Sequence, residues 1–466
     1  MKGFDVSPVF LTIWAGRMIS GIGSALSGFA LSLWVLHTTG STTPFAMTFV
    51  AGAISAIVAS PFAGVLVDRW DRRTTMMICD VLSAVLMTAL TGLLATGHLA
   101  LWLIYLVVGL MTVFDSFRSP AFAATVPLIV AREQLPRANA MGQAGGAAAG
   151  IIGPLLAGAL VNSISFQGVL MIDALTFVVG ALTLALVHIP HSPVAAAEVG
   201  ANLFRQAATG WRYVQQRSGL VGLMVIFGLN HFIFAIATVL IAPLLLSFST
   251  PAMLGLQYAL GACGLLLGGL AIVIFGSPKK RIDGVLLFSC FGGVSLAAHG
   301  FRPSFALIAV AGFVLFMMLP IIDSSNMSLW QTKVPTHLQG RCFAMQRLLL
   351  SVAMALGFCV AGPLSDYVFV PLLTANGLLS NSIGTVIGVG PGRGIALMFI
   401  LLGAMMTLGA SSAYCVPAIR HIDELEDAMP LLQMATAIGI TPPTGGANST
   451  RRPRVTLRDA RPESNG

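Results

Sequence analysis

A few charged side chains interrupt the long apolar stretches of this sequence, and they are its clearest candidates for chemistry. Asp173 is the most isolated of them, because no basic residue stands three or four positions away on either side. If its stretch crosses a membrane, the charge is costly and is therefore a functional candidate. A buried carboxylate without a basic neighbour can exchange a proton near neutral pH. Asp173 is thus either a proton-exchange group or a packing residue satisfied by serine, threonine or backbone partners.

Three other polar groups fall inside apolar stretches. Arg17 either lines a central cavity that attracts anionic groups or pairs with an acid from another helix. Asn230 and His231 form a polar pair; a histidine can titrate near neutral pH, although a lone buried histidine more often makes an ordinary core contact. Asp115 and Arg118 are one helical turn apart and can neutralise each other. Arg17, Asn230 and His231 therefore join Asp173 as candidates for a proton or substrate site.

Long apolar segments must position these groups. The chain has 466 residues, of which 56% are hydrophobic and only 9% charged. Soluble domains carry roughly 25% charged residues, and a helix needs roughly 20 apolar residues to cross the hydrocarbon core of a bilayer. Segments of that kind recur near residues 9–36, 44–67, 74–96, 99–122, 138–165, 167–189, 218–247, 251–275, 283–300, 303–328, 342–372 and 394–416. We therefore expect an all-α membrane protein with twelve transmembrane helices.

Basic residues are distributed unevenly between alternate connections. If the amino terminus is cytoplasmic, thirteen basic residues stand in the cytoplasmic connections, whereas the outer connections hold Arg302 and Arg393. Such an excess is the usual mark of cytoplasmic loops. Both termini are therefore expected to be cytoplasmic. The net charge of +8 then reflects orientation in the membrane and not binding to nucleic acid.

The longest internal connection divides the chain into two halves. We expect a six-helix bundle at 1–189, a cytoplasmic linker with an amphipathic helix at 190–217, a second six-helix bundle at 218–416 and a disordered tail at 417–466. Aromatic residues beside arginines in the linker suit a helix that lies at the membrane interface.

A faint internal repeat supports this division. Asp115-Ser116 and Val126-Pro127 recur 208 positions later as Asp323-Ser324 and Val334-Pro335. Both copies stand at the cytoplasmic end of the fourth helix of their half. Parallel repeats of six helices, with a binding site between them near mid-membrane, are a transporter architecture.

A dense run of charges follows the second predicted helix. The run contains Asp68, Arg69, Arg72 and Arg73, and Gly64 precedes it near the end of the helix. The glycine lets helix 2 approach a neighbour closely, and the aspartate can face the positive start of another helix; a plain basic anchor is the alternative. The spacing resembles the signature of the major facilitator superfamily, Gly-x-x-x-Asp-Arg/Lys-x-Gly-Arg-Arg/Lys, with Asp71 in place of the second glycine.

The resemblance implies specific roles for this loop. In that family the loop locks the inward side closed: its aspartate meets the start of helix 11, and an arginine pairs with an aspartate late in helix 4. Those roles would fall to Asp68, Arg72 and Asp115. The counterpart in the second half, residues 276–281, keeps a glycine and a basic run but lacks the aspartate.

Two further resemblances point towards exporters. Segments 132–140, 172–177 and 390–394 are similar to the branch that includes macrolide efflux proteins and the enterobactin exporter. In helix 5, Gly146, Gly150, Gly153, Pro154 and Gly158 resemble the antiporter motif of exporters. Such residues allow close helix contact and a backbone that can bend at proline, although ordinary glycine packing is an alternative.

The resemblance implies a secondary active transporter in a bacterial cytoplasmic membrane, built as two pseudo-symmetric halves. We expect it to export a small amphipathic compound, such as a macrolide-like drug or a siderophore, by proton antiport with alternating access. Its expected partners are that small molecule, protons and membrane lipids, and the chain is expected to be a monomer. Phosphate-loop and hydrolase motifs are absent from the sequence, so we expect no enzyme activity, cofactor or metal site. Lipid or lysolipid transport between leaflets and a transporter-like sensor that moves nothing are alternatives.

Overall fold

Twelve long apolar helices dominate the computed structural model, which describes residues 7–67, 70–189, 211–276, 278 and 280–424. All regular secondary structure in those ranges is helical. The spans are α1 (Pro8–Thr39), α2 (Thr42–Val67), α3 (Arg72–Ala95), α4 (Leu101–Ile129), α5 (Leu135–Val161), α6 (Ser163–Leu186), α7 (Ser218–Leu246), α8 (Pro251–Phe275), α9 (Arg281–Ala298), α10 (Phe305–Lys333), α11 (Thr336–Pro363) and α12 (Arg393–Tyr414). The predicted all-α membrane fold is confirmed.

Several helices extend further than their apolar segments predict. Helix α4 continues to Ile129 and α10 to Lys333, whereas the sequence predicts ends near 122 and 328. Helix α11 begins at Thr336, six positions before its predicted start. Hydropathy marks only the part of a helix that suits hydrocarbon, while backbone hydrogen bonding continues into the polar interface. The predicted linker helix is described only from residue 211 onwards. Of the predicted disordered tail 417–466, residues 417–424 form two short helices, Pro417–Arg420 and Ile422–Glu424. Their Ile419 and Ile422 are buried against α7, and the residues beyond 424 lie outside the described part.

A backbone break separates α5 from α6 without a long loop. Ser165, the third residue of the α6 range, has φ 62° and ψ 168°, which interrupts the helical path, so the regular part of α6 begins after it. A side chain in this left-handed region is strained for any residue except glycine. The two spans are therefore distinct although little chain lies between them.

Small residues let the helices of each half pack closely. In the first half, α1 packs on α5 and α6, with Gly16 against Thr183 and Gly153 against Ala25. In the second half, Gly264 and Gly268 of α8 meet the backbone of α10 at Phe313 and Met317. Such close approaches are a main source of helix association in membranes, where burial of apolar surface gives little driving force.

The two ends of the bundle differ in charge. Odd-numbered helices begin, and even-numbered helices end, at one face, which carries Arg72, Arg73, Arg132, Arg137 and Arg217. We call this end the basic face. The other end, which holds the α1–α2, α7–α8 and α11–α12 connections, is called the opposite face.

We predict that Gly268→Ala destabilises the protein and that Gly269→Ala does not. A Cβ atom on Gly268 would collide with the Met317 carbonyl oxygen, whereas nothing lies within 4 Å of one on Gly269. Overpacking of this kind costs about 1–3 kcal/mol, while the neighbouring exchange should stay within about 1 kcal/mol. Thermal unfolding in detergent, followed by tryptophan fluorescence, measures both. Equal unfolding temperatures for the two variants would contradict the α8–α10 packing.

Candidate functional site

A cavity of about 440 Å³ lies between the two halves, near the opposite face. Its walls come from α1, α2, α4 and α5 of the first half and from α7 and α8 of the second. Phe29, Phe45, Phe49 and Tyr258 supply aromatic surface. Sites for drug-sized molecules typically occupy about 300–1,000 Å³ and are mostly apolar with a few polar groups. The cavity therefore has the size and chemistry to hold the apolar part of a small organic molecule.

The polar groups of this cavity are hydroxyls. Ser32, Thr48 and Thr238 are among its lining residues, and none of the lining side chains is charged. Hydroxyls can both donate and accept hydrogen bonds and reorient to suit a partner. The cavity therefore favours uncharged groups and accepts varied hydrogen-bonding patterns.

Close contacts above the cavity join the two halves at the opposite face. A Cβ atom on Gly158 of α5 would lie 2.8 Å from the Pro251 carbonyl oxygen, and Gly255 of α8 packs against the Pro154 carbonyl. Aromatic pairs add to this joint, with ring centroids 5.8 Å apart for Phe29–Tyr258 and 5.4 Å apart for Phe49–Phe358. The described contacts between the halves are thus concentrated towards this face.

Asp366 makes hydrogen bonds between the two halves at the same face. Its carboxylate accepts bonds from the hydroxyl of Ser41 (2.6 Å), the backbone N–H of Thr42 (3.1 Å), and both the N–H and the hydroxyl of Thr43 (2.8 Å each). Thr42 and Thr43 are the first residues of α2. Asp366 therefore holds the start of a helix that belongs to the other half.

Asp173 is completely buried inside the first half. Its carboxylate accepts hydrogen bonds from the Ser27 hydroxyl of α1 and from the Thr176 hydroxyl, at 3.3 Å in the second case. Gly23 makes room for it, because a Cβ there would lie 2.7 Å from the Asp173 Oδ1 atom. The carboxylate thus links α6 to α1, the helix that supplies Phe29 and Ser32 to the cavity wall.

A second group of charges lies nearer the basic face of the same half. Arg118 of α4 donates to the Asp80 carboxylate at 2.8 Å and to Asp115 at 3.2 Å, and its guanidinium stacks over the Phe177 ring. The Asp80 side chain is only 5% exposed, whereas that of Asp115 is 55% exposed. Asp80 is therefore the buried partner, and Asp115 borders open space.

Arg17 belongs to this charged group and not to the cavity wall. Its guanidinium donates to the Ser119 hydroxyl at 3.0 Å and lies 4.9 Å from the centre of the Phe122 ring. Asp80, Arg118 and Arg17 line one small pocket between α1, α3, α4 and α6. Of the two interpretations that the sequence allows, the structure places Arg17 close to acids from other helices.

Asn230 and His231 lie on α7, apart from the charges of the first half. The Asn230 amide donates to the Ser289 hydroxyl of α9 at 3.1 Å. The His231 Nδ1 atom lies 2.9 Å from the Phe227 carbonyl oxygen, one turn earlier on the same helix. These contacts are those of packing residues, and the structure does not bring this pair together with Asp173.

The arginines of the loop after α2 bind carbonyl groups. Arg72 donates to the Ala124 carbonyl of α4 at 2.9 Å, and Arg73 donates to the Leu184 and Ala185 carbonyls at 2.7 Å. The last carbonyls of a helix carry partial negative charge, so Arg73 stabilises the end of α6. The Arg72–Asp115 pair that the resemblance implies is not formed here, since Asp115 pairs with Arg118.

The other residues of this charged motif are Gly64, Asp68, Arg69 and Asp71. Gly64 lies within α2, whereas Asp68 and Arg69 fall outside the described residues. Asp71 accepts a hydrogen bond from the Thr74 backbone N–H at 2.7 Å and so caps the start of α3. A carboxylate at this position gives a capping bond that the usual glycine lacks.

The glycines of α5 divide into two groups. Gly153 packs on α1, Gly158 packs on α8 of the other half, and Pro154 lines the cavity while its carbonyl meets Gly255. Nothing lies within 4 Å of a Cβ built on Gly150 or Gly146. The outer part of this motif therefore serves close contact across the joint.

Sequence comparison identifies the fold family. Residues 13–358 match the sequence model of the Major Facilitator Superfamily. The chain belongs to the major facilitator superfamily. It is therefore a membrane transport protein and not an enzyme.

Named relatives within this superfamily are efflux proteins. Macrolide efflux protein A of Streptococcus pyogenes is 28% identical over 361 residues, which cover 77% of this chain and 89% of the relative. Multidrug efflux pump Tap of Mycolicibacterium fortuitum is 26% identical over 373 residues, with the same coverage of both chains. The predicted likeness to the macrolide-efflux branch of the superfamily is confirmed.

Solved structures of other major facilitator proteins share the fold. The nucleoside transporter NupG superposes with a TM-score of 0.66 at 13% identity, covering 87% of this chain and 98% of NupG. A bacterial homologue of the human lysosomal transporter Spinster, inward-facing and unoccupied, gives a TM-score of 0.66 at 14% identity, covering 89% and 97%. Likeness at this level of identity concerns the fold alone.

Three residues of this site, Asp80, Ser27 and Asp366, are absent from the predicted site residues. Asp80 carries the same signal as Asp173, a charge within a predicted apolar segment, and was open to detection. Asp366 also carries this signal, since it lies in the predicted segment 342–372. Ser27 carries no comparable signal, because its role depends on a partner 146 positions away. Only the folded helices bring the two residues together.

We predict that Asp80→Asn destabilises the protein far more than Asp115→Asn. Both variants remove one acid from Arg118, but only Asp80 is buried with it. Breaking a buried pair costs about 3–5 kcal/mol, whereas an exposed pair contributes about 0–1 kcal/mol. Thermal unfolding in detergent compares the two. If Asp115→Asn lowered the unfolding temperature as much as Asp80→Asn, the assignment of Asp80 as the main partner would be wrong.

Proposed function

We propose that this transporter exports a small amphipathic compound, such as a macrolide-like drug or a siderophore, in exchange for protons. The observation that carries this proposal is the apolar, charge-free cavity between the two halves. The similarity of the chain to macrolide and multidrug efflux proteins supports the same substrate class.

The proposed orientation places the basic face in the bacterial cytoplasm, together with both termini. Lysine and arginine are enriched in the cytoplasmic loops of membrane proteins, and the basic face carries most of them here. The joint at the opposite face then closes the outer side. In this arrangement the cavity receives its substrate from the cytoplasm or the inner leaflet, as the first step of export requires.

The cavity chemistry supports an amphipathic substrate. Aromatic side chains such as Phe49 and Tyr258 offer apolar surface, and Ser32 and Thr238 offer hydroxyls to uncharged polar groups. A large lactone with scattered oxygens satisfies both kinds of contact. A charged group of the same molecule is better placed outside this cavity, towards the basic face, where water is available.

Asp173 is the proposed proton carrier. A proton on its carboxylate removes the negative charge that the Ser27 and Thr176 hydroxyls stabilise. Its contact with α1 then weakens, and Ser27 lies two residues from the cavity-lining Phe29 on that helix. Proton exchange at Asp173 can thus alter the cavity wall, which is the coupling that antiport needs.

An acyl chain would also suit a charge-free cavity, so lipid movement between leaflets is the second candidate function. The distinguishing property is the substrate and not the fold. A panel that contains both drugs and lysolipids therefore separates the two proposals.

We predict that Gly28→Leu weakens or abolishes substrate binding, and with it transport, without affecting folding. Gly28 lines the cavity and nothing lies within 4 Å of a Cβ built there, so a leucine fills substrate space. A loss of roughly 1.4 kcal/mol in substrate binding lowers affinity about tenfold. Binding of a fluorescent macrolide to the purified protein measures this loss.

Gly92→Leu is the matched control for this experiment. Gly92 is exposed on α3 and also has nothing within 4 Å of its built Cβ atom. It should bind the macrolide like the wild type. Unchanged affinity in Gly28→Leu would remove this cavity from the proposal.

We predict that the transported compound dissipates a pH gradient and that Asp173→Asn abolishes this response. Everted vesicles are energised to an acidic interior and exposed to macrolides, dyes, siderophores and lysolipids, while the gradient is followed with a pH-sensitive dye. The asparagine keeps the size of the side chain but cannot release a proton. A response that survives in Asp173→Asn assigns the carrier elsewhere. The absence of any response to the drugs would count against drug antiport.

A further inference from the structure

The start of α2 is capped by a residue of the other half. The first N–H groups of any helix lack partners within the helix, and a carboxylate is stabilised there by the helix dipole. In α2 the carboxylate of Asp366 accepts from the N–H groups of Thr42 and Thr43. A cap normally comes from the residue just before the helix. Here it comes from α11, so the cap can form only when the two halves meet.

The backbone around Asp366 is unusual. Residues Leu364–Phe369 form a π-helix at the end of α11. Such turns are rare and often occur at functional sites. One turn earlier, Gly362 packs directly against the backbone of Thr43, with 2.5 Å from its built Cβ to the Thr43 Cα atom. The local structure of α11 therefore brings its backbone and its carboxylate together onto α2.

The contact of Asp366 with the start of α2 is strong, and it lies where water can reach both partners once the halves separate. The four hydrogen bonds to one carboxylate are charge-assisted, which makes them stronger than neutral bonds. Asp366 and Thr43 are only partly buried, and they lie at the end of the bundle. When the halves separate there, water can hydrate both the carboxylate and the N–H groups. Separation therefore leaves no polar group buried without a partner.

We propose that Asp366 is the latch of the opposite face, a positioning residue that keeps this face closed while the cavity is open to the basic face. Its role in export rests on the proposed function. Its effect on the two faces does not, because the balance between them exists without substrate.

The test is hydrogen–deuterium exchange on the full chain in lipid nanodiscs, comparing wild type, Asp366→Asn and Asp366→Glu. In Asp366→Asn, backbone amides near 41–49 and 358–369 should exchange about tenfold faster, since a lost charge-assisted bond is of that order. Amides of α4, α5, α10 and α11 near the basic face should exchange more slowly, because that face closes when the other opens. Asp366→Glu keeps the carboxylate and should restore much of the wild-type pattern.

Asp423→Asn is the matched control. Asp423 also accepts a hydrogen bond from a helix start, the Ile282 N–H of α9 at 3.0 Å, but both partners belong to the second half. Its loss should speed exchange at the start of α9 and leave the balance between the faces unchanged. Thr43→Val removes one hydroxyl from the latch and should give a smaller change in the same direction as Asp366→Asn.

Faster amide exchange at the opposite face together with slower amide exchange at the basic face supports the latch. Faster exchange at both faces, or a change confined to the first turn of α2, would show a merely structural cap and overturn the proposal. Opposite changes in a protein that exports none of the tested compounds would uphold the latch and reject the proposed drug export. The two proposals therefore fail separately.

Discussion

A hydrocarbon environment offers no hydrogen-bond partners, and this constraint explains how the buried charges of the first half are paired. Three charges of the first bundle have a partner on another helix: Asp80 binds Arg118, Asp173 binds Ser27 and Arg17 binds Ser119. These pairs join α1, α3, α4 and α6 into one unit. A charge without such a partner would cost more free energy than the packing of a helix returns.

The polar contacts of Asp366 between the halves are less buried than those in the interior of the first half. Inside the first half the contacts of Asp80 and Asp173 are buried, so opening them would leave charges in hydrocarbon. At the opposite face the polar contacts of Asp366 and Ser365 lie at the end of the helices, and apolar surfaces such as Phe49 on Phe358 supply further contacts. The halves can therefore separate at low cost while each bundle stays intact, which is the property that alternating access requires.

The sequence predicts the parts of this account that depend on local composition. Length and hydropathy give the twelve helices, and the loop after α2 together with the other motifs gives the superfamily. A charge in an apolar segment is also visible, which identifies Asp173 and would identify Asp80 by the same argument. What the sequence does not show is which groups meet. Arg72 binds a carbonyl where an acid is expected, and Asp366 near the end of its helix gains its role only from the distant start of α2.

Proton-driven export can be measured as uphill transport by the purified protein. The protein is reconstituted into liposomes, the lumen is acidified, and a radiolabelled macrolide is added at equal concentration on both sides. We expect accumulation in the lumen above the outside concentration, to a level that protein-free liposomes do not reach, and abolished when a proton carrier collapses the gradient. Equal concentrations on both sides, with or without the gradient, would contradict proton-driven export.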